Sequence, residues 1–249
     1  MGSTHASTIH SRRHWTECAH GVTKDIVSDI SDRTPLGDHK ILAEHAYEAI
    51  KQAILNLQLR PGTQLVERKL AEQFGISKSP VRDALQRLAG EGLVSQTRFS
   101  GMTVQSFDPE LVDELCAVRE KLEEMAVVLA VPRMTGADLA ETRGYLDQAD
   151  AAMVAGDPQR VVEANRLYHM IFGRCSGNRV LDAMVSGMQD RVRIIALLCW
   201  SWEKSVGKEE HEQHFAVLEA AEDGDARRAG RLMREHIRWF REEYRRAYR

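Results

Sequence analysis

The stretch from Leu59 to Val94 does most to restrict what this chain can fold into, because its punctuation fits one arrangement of short helices and little else. Pro61-Gly62 closes a helical run that begins near Lys40, in which Ala46, Ile50, Ala53, Ile54 and Leu57 recur at helical spacing. A second helix is expected from Glu67 to Phe74, with Leu70, Ala71 and Phe74 on one face and Gly75 placed to end it with a left-handed backbone. Ser79-Pro80 reads as an N-cap followed by proline at the first position of a third helix, whose inward residues are Val81, Ala84, Leu85 and Leu88. Ser77, Lys78, Ser79, Arg82 and Arg87 are left outside, most of them near the helix N-terminus, where free amides and partial positive charge suit a phosphate or a base edge. Beyond Gly90-Glu91-Gly92, residues 93–97 and 102–105 read as two short strands joined by a turn from Arg98 to Gly101. Three helices and a hairpin make a winged helix-turn-helix, a unit whose usual work is to lay its third helix in the major groove of DNA. The wing tip, Arg98 and Gly101, then lies on the backbone or in the minor groove. Spacing alone leaves a second option open, a three-helix packing unit with exposed cations.

The same residues carry a family resemblance. The run L-x-PG-x-x-L-x-E-x-x-LA-x-x-FG-I-S-K-x-PVRDAL-x-x-L-x-x-EGLV resembles the DNA-binding domain of GntR-type bacterial transcription regulators over about forty residues, far more than a lone short motif. The resemblance implies DNA contacts from Arg68 on the second helix, from Ser77, Lys78, Ser79 and Arg82 around the third, and from Gly101 at the wing tip. Two positions depart from the family pattern. Lys78 stands where arginine is commoner and cannot make arginine's two-pronged fork to guanine, so base readout there is expected to be softer. Val66 stands where serine is frequent, so the second helix is expected to lack its usual cap.

The chain's length of 249 residues allows two domains, with expected boundaries at 1–38 for a mobile leader, 39–106 for the winged unit and 107–249 for a helical effector and dimer domain. The leader has no apolar core segment of the kind a signal peptide needs, and no apolar run approaches the ~18 residues of a membrane span. Its His10, His14, Cys18 and His20 fit no standard metal spacing. Cys18, Cys116, Cys175 and Cys199 show no paired spacing; Cys116 and Cys199 read as small core residues, and a reducing cytoplasm fits. The net charge of −3 is unevenly spread, with bases slightly ahead of acids between Ile41 and Ser106 and acids ahead beyond Phe107. A modest local positive charge binds DNA weakly alone, so two copies on a palindromic double-stranded operator, hence a homodimer, are expected.

From Pro109 onward the pattern is helical, over roughly 109–131, 135–155, 158–175, 179–204, 208–222 and 225–247, an antiparallel six-helix bundle. The fold class is therefore mainly α. His169, His214 and His236 each fall on or beside the apolar face of a different helix, and Asn165 shares a face with His169. Three imidazoles and an oxygen meeting in a bundle suit a divalent transition metal, although separate histidines need not meet and each can be an ordinary hydrogen-bonded core residue. His211-Glu212-Gln213-His214 only imitates the H-E-x-x-H metalloprotease run, because its histidines are three apart rather than four. His211 is expected on the solvent side.

Residues Arg119 to Glu123, Asn165-x-x-x-His169 with Ser176-Gly177-Asn178, His214-x-x-Val217-Leu218-x-Ala220, and Gly224-Asp225-Ala226 with Met233-x-x-His236 together resemble the FCD ligand domain of FadR-type members of that superfamily. The resemblance implies a metal, zinc or nickel, held by Asn165, His169, His214 and His236, with a small carboxylate effector beside it. Asparagine replaces the commoner aspartate, and a neutral amide leaves the site its full positive charge. Arg119 fits the anion clamp, since guanidinium pairs a carboxylate in two-pronged fashion; the alternative is an ion pair with Glu123 one turn on. Arg191 and Arg193 are further candidates for the pocket, while Tyr168, Trp200 and Trp202 line it or fill the core. The expected function is that of a regulator, a repressor, whose operator binding responds to a small organic acid. A metal-dependent hydrolase using the three histidines, with Glu123 or Glu163 as base, and a ligand-independent DNA binder are the alternatives.

Overall fold

The computed structural model describes residues 39–97, 101–202 and 206–248. The leader with its His10, His14, Cys18 and His20, and the wing-tip Arg98, lie outside the described residues, as does the side chain of Trp202.

The first unit is three helices and a small sheet: α1 (His39–Leu55), β1 (Gln64–Leu65), α2 (Glu67–Phe74), α3 (Lys78–Gly90), β2 (Val94–Thr97) and β3 (Gly101–Val104). The strands are antiparallel in the order β1-β3-β2, with Leu65 opposite Met102 and Val94 opposite Val104. Strand β1 escapes sequence reading because two residues are too few to show alternation; it pairs because the chain leaving Pro61-Gly62 runs alongside the wing. Helix α1 ends at Leu55, and Leu57 sits past it with a φ of 57°, so Leu57 is not part of the helical stripe. Gly75 ends α2 in the left-handed conformation, as its position demands. The start of α3 differs from expectation. Ser77, not Ser79, is the N-cap residue, and Pro80 falls at the third helical position. Proline is tolerated anywhere in a first turn, whose amides have no helical partner to lose, and here it is buried against the core.

Six long helices follow: α4 (Pro109–Ala130), α5 (Gly136–Ala155), α6 (Pro158–Cys175), α7 (Arg179–Trp202), α8 (Val206–Glu222) and α9 (Ala226–Tyr248), with one 3-10 turn at Val131–Arg133. Local caps set several of their starts. Asp108 accepts from the Leu111 amide ahead of Pro109, Asp157 accepts from the Arg160 amide ahead of Pro158, and Thr135 with Asp138 forms a full capping box. Helix α4 packs along α9, α6 lies between α5 and α7, and α8 lies on α9. Val112, Cys116, Val127, Leu146, Tyr168, Ile195, Cys199, Leu218, Met233 and Ile237 are buried where these faces meet, Cys116 and Cys199 as free thiols. No helix among the described residues is long and apolar enough to cross a membrane.

Helix α7 joins the two units. Lys51 of α1 pairs with Asp190 at 2.7 Å, Arg193 donates to the Leu55 carbonyl and to Asn56 Oδ1, and the Arg191 side chain lies against Gly92.

Candidate functional site

The bundle's polar centre is built from α4, α6, α8 and α9. Asn165 and His169 lie one turn apart on the buried face of α6, His214 is on α8 and His236 on α9, and all four are buried. His169 Nε2 is 3.1 Å from His214 Nε2, which is 3.2 Å from His236 Nε2. Among the described residues these three histidines form the group of metal-capable side chains whose ligand atoms lie within 4.8 Å of one another.

The far nitrogens fix how the rings present themselves. His169 Nδ1 is 2.5 Å from Glu123 Oε2. Burial alone would raise the Glu123 pKa, but Arg119 and His169 outweigh it and hold the carboxyl far below the usual range, so Glu123 is an acceptor and Nδ1 donates. His236 Nδ1 donates to Gln213 Oε1 at 3.0 Å. In the neutral tautomers this leaves both Nε2 atoms with lone pairs aimed at His214 Nε2. One ring nitrogen cannot donate a straight hydrogen bond to two lone pairs at once, whereas a cation between the three satisfies all of them. Burial, then the neighbouring histidines, push the pKa of His214 well below the ordinary value, and burial, His169 and Arg119 do the same at His236, which keeps both rings neutral and able to ligate. The nitrogen spacing also fits. Zinc–nitrogen bonds of about 2.0–2.1 Å at tetrahedral angles separate ligand nitrogens by ~3.3 Å. Asn165 Oδ1 adds an orphan, buried and without a hydrogen-bond partner in the structure. The residues present fit a divalent metal.

Arg119 is buried and spends its Nε on Glu123 Oε1 at 2.7 Å, so the helical ion pair weighed in the sequence is formed. Its guanidinium also borders a cavity of about 20 Å³ shared with Asn165, His169 and His236, room for one water-sized body. Of the two further arginines, Arg193 lines this cavity and Arg191 turns to the wing. Arg193 and Arg166 both pair with Glu163, which removes Glu163 as a free base. Tyr168 is fully buried, donates to the His214 carbonyl at 2.9 Å and rests against the His214 ring. Trp200 packs beside α5 and α6. His211 is half-buried near Asp150 rather than on the solvent side, because α8 presses that face on α5.

One buried acid escapes the sequence reading. Glu210 of α8 is 7 % exposed and lines the cavity, and burial pushes its pKa up to about 7 against the pull of Arg119 and Asn165. The signal is there in the sequence. Glu210-x-x-x-His214 repeats the spacing of Asn165-x-x-x-His169, but it overlaps the false His211-x-x-His214 motif.

On the winged unit, Arg68, Ser77, Lys78, Ser79, Arg82 and Gly101 are all exposed on the surface. Arg68 pairs with Glu72, and Arg82 reaches from α3 to both carboxylate oxygens of Glu67. Such exposed pairs are weak and exchange readily for phosphate. Neither Val66 nor Ser77 makes a side-chain cap, so the amides at the starts of α2 and α3 have no side-chain acceptor there. Arg87 faces α1 instead, pairing with Glu44 and lying 3.5 Å over the Tyr47 ring.

Comparison with known proteins gives two matches along the chain. Residues 42–104 match the bacterial regulatory proteins of the gntR family, and residues 114–238 match the FCD domain. The transcriptional regulator McbR of Escherichia coli is 35% identical over 134 residues, covering 54% of this chain and 61% of McbR. The Nta operon transcriptional regulator of Aminobacter aminovorans is 27% identical over 74% of this chain and 85% of its own. Among solved structures, Escherichia coli McbR/YncC superimposes with a TM-score of 0.71 at 27% identity, over 84% of this chain and 99% of that one. A GntR regulator from Rhodococcus sp. RHA1 shares the fold, with a TM-score of 0.73 at 21% identity over 83% of this chain and 99% of that one.

Proposed function

The chain belongs to the bacterial regulatory proteins of the gntR family that carry an FCD domain, and on that footing we propose that it is a cytoplasmic repressor whose grip on a palindromic operator changes when a small carboxylate binds beside a divalent metal in the helical half. The family is one of regulators, not enzymes, and Glu123, the acid nearest the histidines, is tied up by Arg119 and His169. One relative is named for repression of an operon of galactonate, a small carboxylate.

The observation that carries the proposal is the meeting of three buried imidazole nitrogens around one point. His169, His214, His236 and the Asn165 oxygen would hold zinc or nickel, which supplies a positive centre for an anionic effector. Arg119, and Arg193 at the α7 side, extend that positive field. The small cavity means an acid must push side chains aside to enter, and α7, which lines it, also holds α1. An effector that favours one placement of α7 therefore has a route to the DNA-binding face. Arg68, Ser77, Lys78, Ser79, Arg82 and the wing tip would make the DNA contacts, twice over in a homodimer. Metal analysis of the purified full chain tests the core of this. One zinc or nickel per chain, absent from His236→Ala, is expected; a metal-free wild-type protein that takes up neither ion sinks the proposal.

A further inference from the structure

The cavity beside the histidines is lined by three arginines, Arg119, Arg166 and Arg193. Arg119 is committed to Glu123. The other two share one carboxylate. Arg166 forks onto Glu163 through Nε and Nη2, and Arg193 reaches the same group from α7 through Nη1. Glu163 itself does not line this cavity; it borders an open groove of about 440 Å³ between α5 and α6. Two guanidiniums on the cavity wall are therefore held by an acid that stands outside it and has room to swing away.

Neither arginine is used up. Arg166 Nη1 faces the sulfur of Met170, a weak acceptor. Arg193 spreads its other donors over neutral oxygens, the Leu55 carbonyl, Asn56 Oδ1 and Gln159 Oε1. Both side chains are mostly covered, where a guanidinium gains most from a charged acceptor. The balance of charge asks for such an acceptor. A divalent ion with the three arginines outweighs Glu123, Glu163 and Glu210 by the charge of a dianion, and uncompensated charge in a covered site is costly. Arg166 lies three residues before His169 on α6, about 4.5 Å along the axis, so an anion that reaches both ends is roughly four to six carbons long.

Resting on the effector site proposed above, we propose that the effector is a short dicarboxylate: one carboxylate goes to the metal end of the cavity, and the other takes the place of Glu163 between Arg166 and Arg193. Glu163 is a built-in competitor for that second place. Its release into the groove hands the ligand an arginine that also holds the end of α1, which ties occupancy of the cavity to the winged unit.

The test is isothermal titration of the zinc-loaded full chain with succinate, glutarate and adipate, each beside the monoacid of equal chain length, butyrate, pentanoate or hexanoate, at one ionic strength. The readout is the ratio of diacid to monoacid affinity within each protein, which a general loss of stability does not move. Wild type is expected to bind at least one diacid about tenfold or more tightly than its monoacid, the worth of one added charge-assisted contact. Arg166→Gln is expected to cut that ratio at least about threefold, and Glu163→Gln, with the competitor gone, to bind the diacid at least about threefold more tightly than wild type. A wild-type ratio below about tenfold for every pair, or a smaller change in either variant, overturns the dicarboxylate, while a monoacid that binds leaves the carboxylate site standing. Binding of none of these acids overturns the site and this inference with it.

Discussion

Arg119 and Glu123 are each 1 % exposed, and their ion pair sits on the ring of His169. Two buried charges gain little net stability from each other, but removing one strands its partner, a loss of about 3–5 kcal/mol. Arg119→Ala is therefore expected to cost about that much in urea unfolding of the metal-free protein, and an unchanged midpoint would show that Glu123 is not held as described. The imidazoles are legible in the sequence as residues on apolar faces, and their meeting is not, because the approach of three different helices is set by packing far along the chain. Glu210 is hidden for another reason: its spacing to His214 carries the information, but a buried acid contradicts what acid residues usually do on a helix near a loop.

At the level of elements, helix starts are readable because they are written in local chemistry. Asp108 and Asp157, each ahead of a proline, satisfy an orphan amide with one side chain, and Thr135 and Asp138 satisfy each other's. Strand β1 and the shifted cap of α3 are not readable, since the first depends on a partner strand beyond α3 and the second on burial of Pro80. Helix α7 shows what local reading leaves out altogether. It lines the cavity with Gln189, Val192, Arg193 and Ala196, and through Asp190 and Arg193 it grips the end of α1. Arg193→Ala is expected to speed amide hydrogen exchange at residues 55–59, next to the Leu55 carbonyl and Asn56 side chain that lose a donor. Exchange no faster than in wild type would show that this arginine does not hold the winged unit.

For the molecule as a whole, the outward face of α4 carries Val118 and Met125, each about half exposed, with Leu122 and Leu129 between and beyond them. Residues 118, 122, 125 and 129 form one helical stripe, away from the buried face of the same helix. Such a stripe suits a second copy of the chain, which a palindromic operator also requires. Met125→Glu is expected to shift sedimentation from dimer toward monomer and to weaken operator binding; a dimer unaffected by this change would place the interface elsewhere.

If the histidine-lined centre of the bundle governs the DNA-binding face, disabling that centre must abolish the response to effector and spare the grip on DNA. Fluorescence anisotropy on DNA from upstream of the protein's own gene reads both, with zinc-loaded wild type and His214→Ala titrated at fixed salt with and without a panel of small organic acids. At least one acid is expected to change the wild-type affinity about fivefold or more, the usual range of coupling between sites being about 5–150-fold, and His214→Ala is expected to bind the same DNA with no response. An acid that moves both proteins equally, or a wild type that binds its operator with the same affinity whatever acid is added, would contradict it.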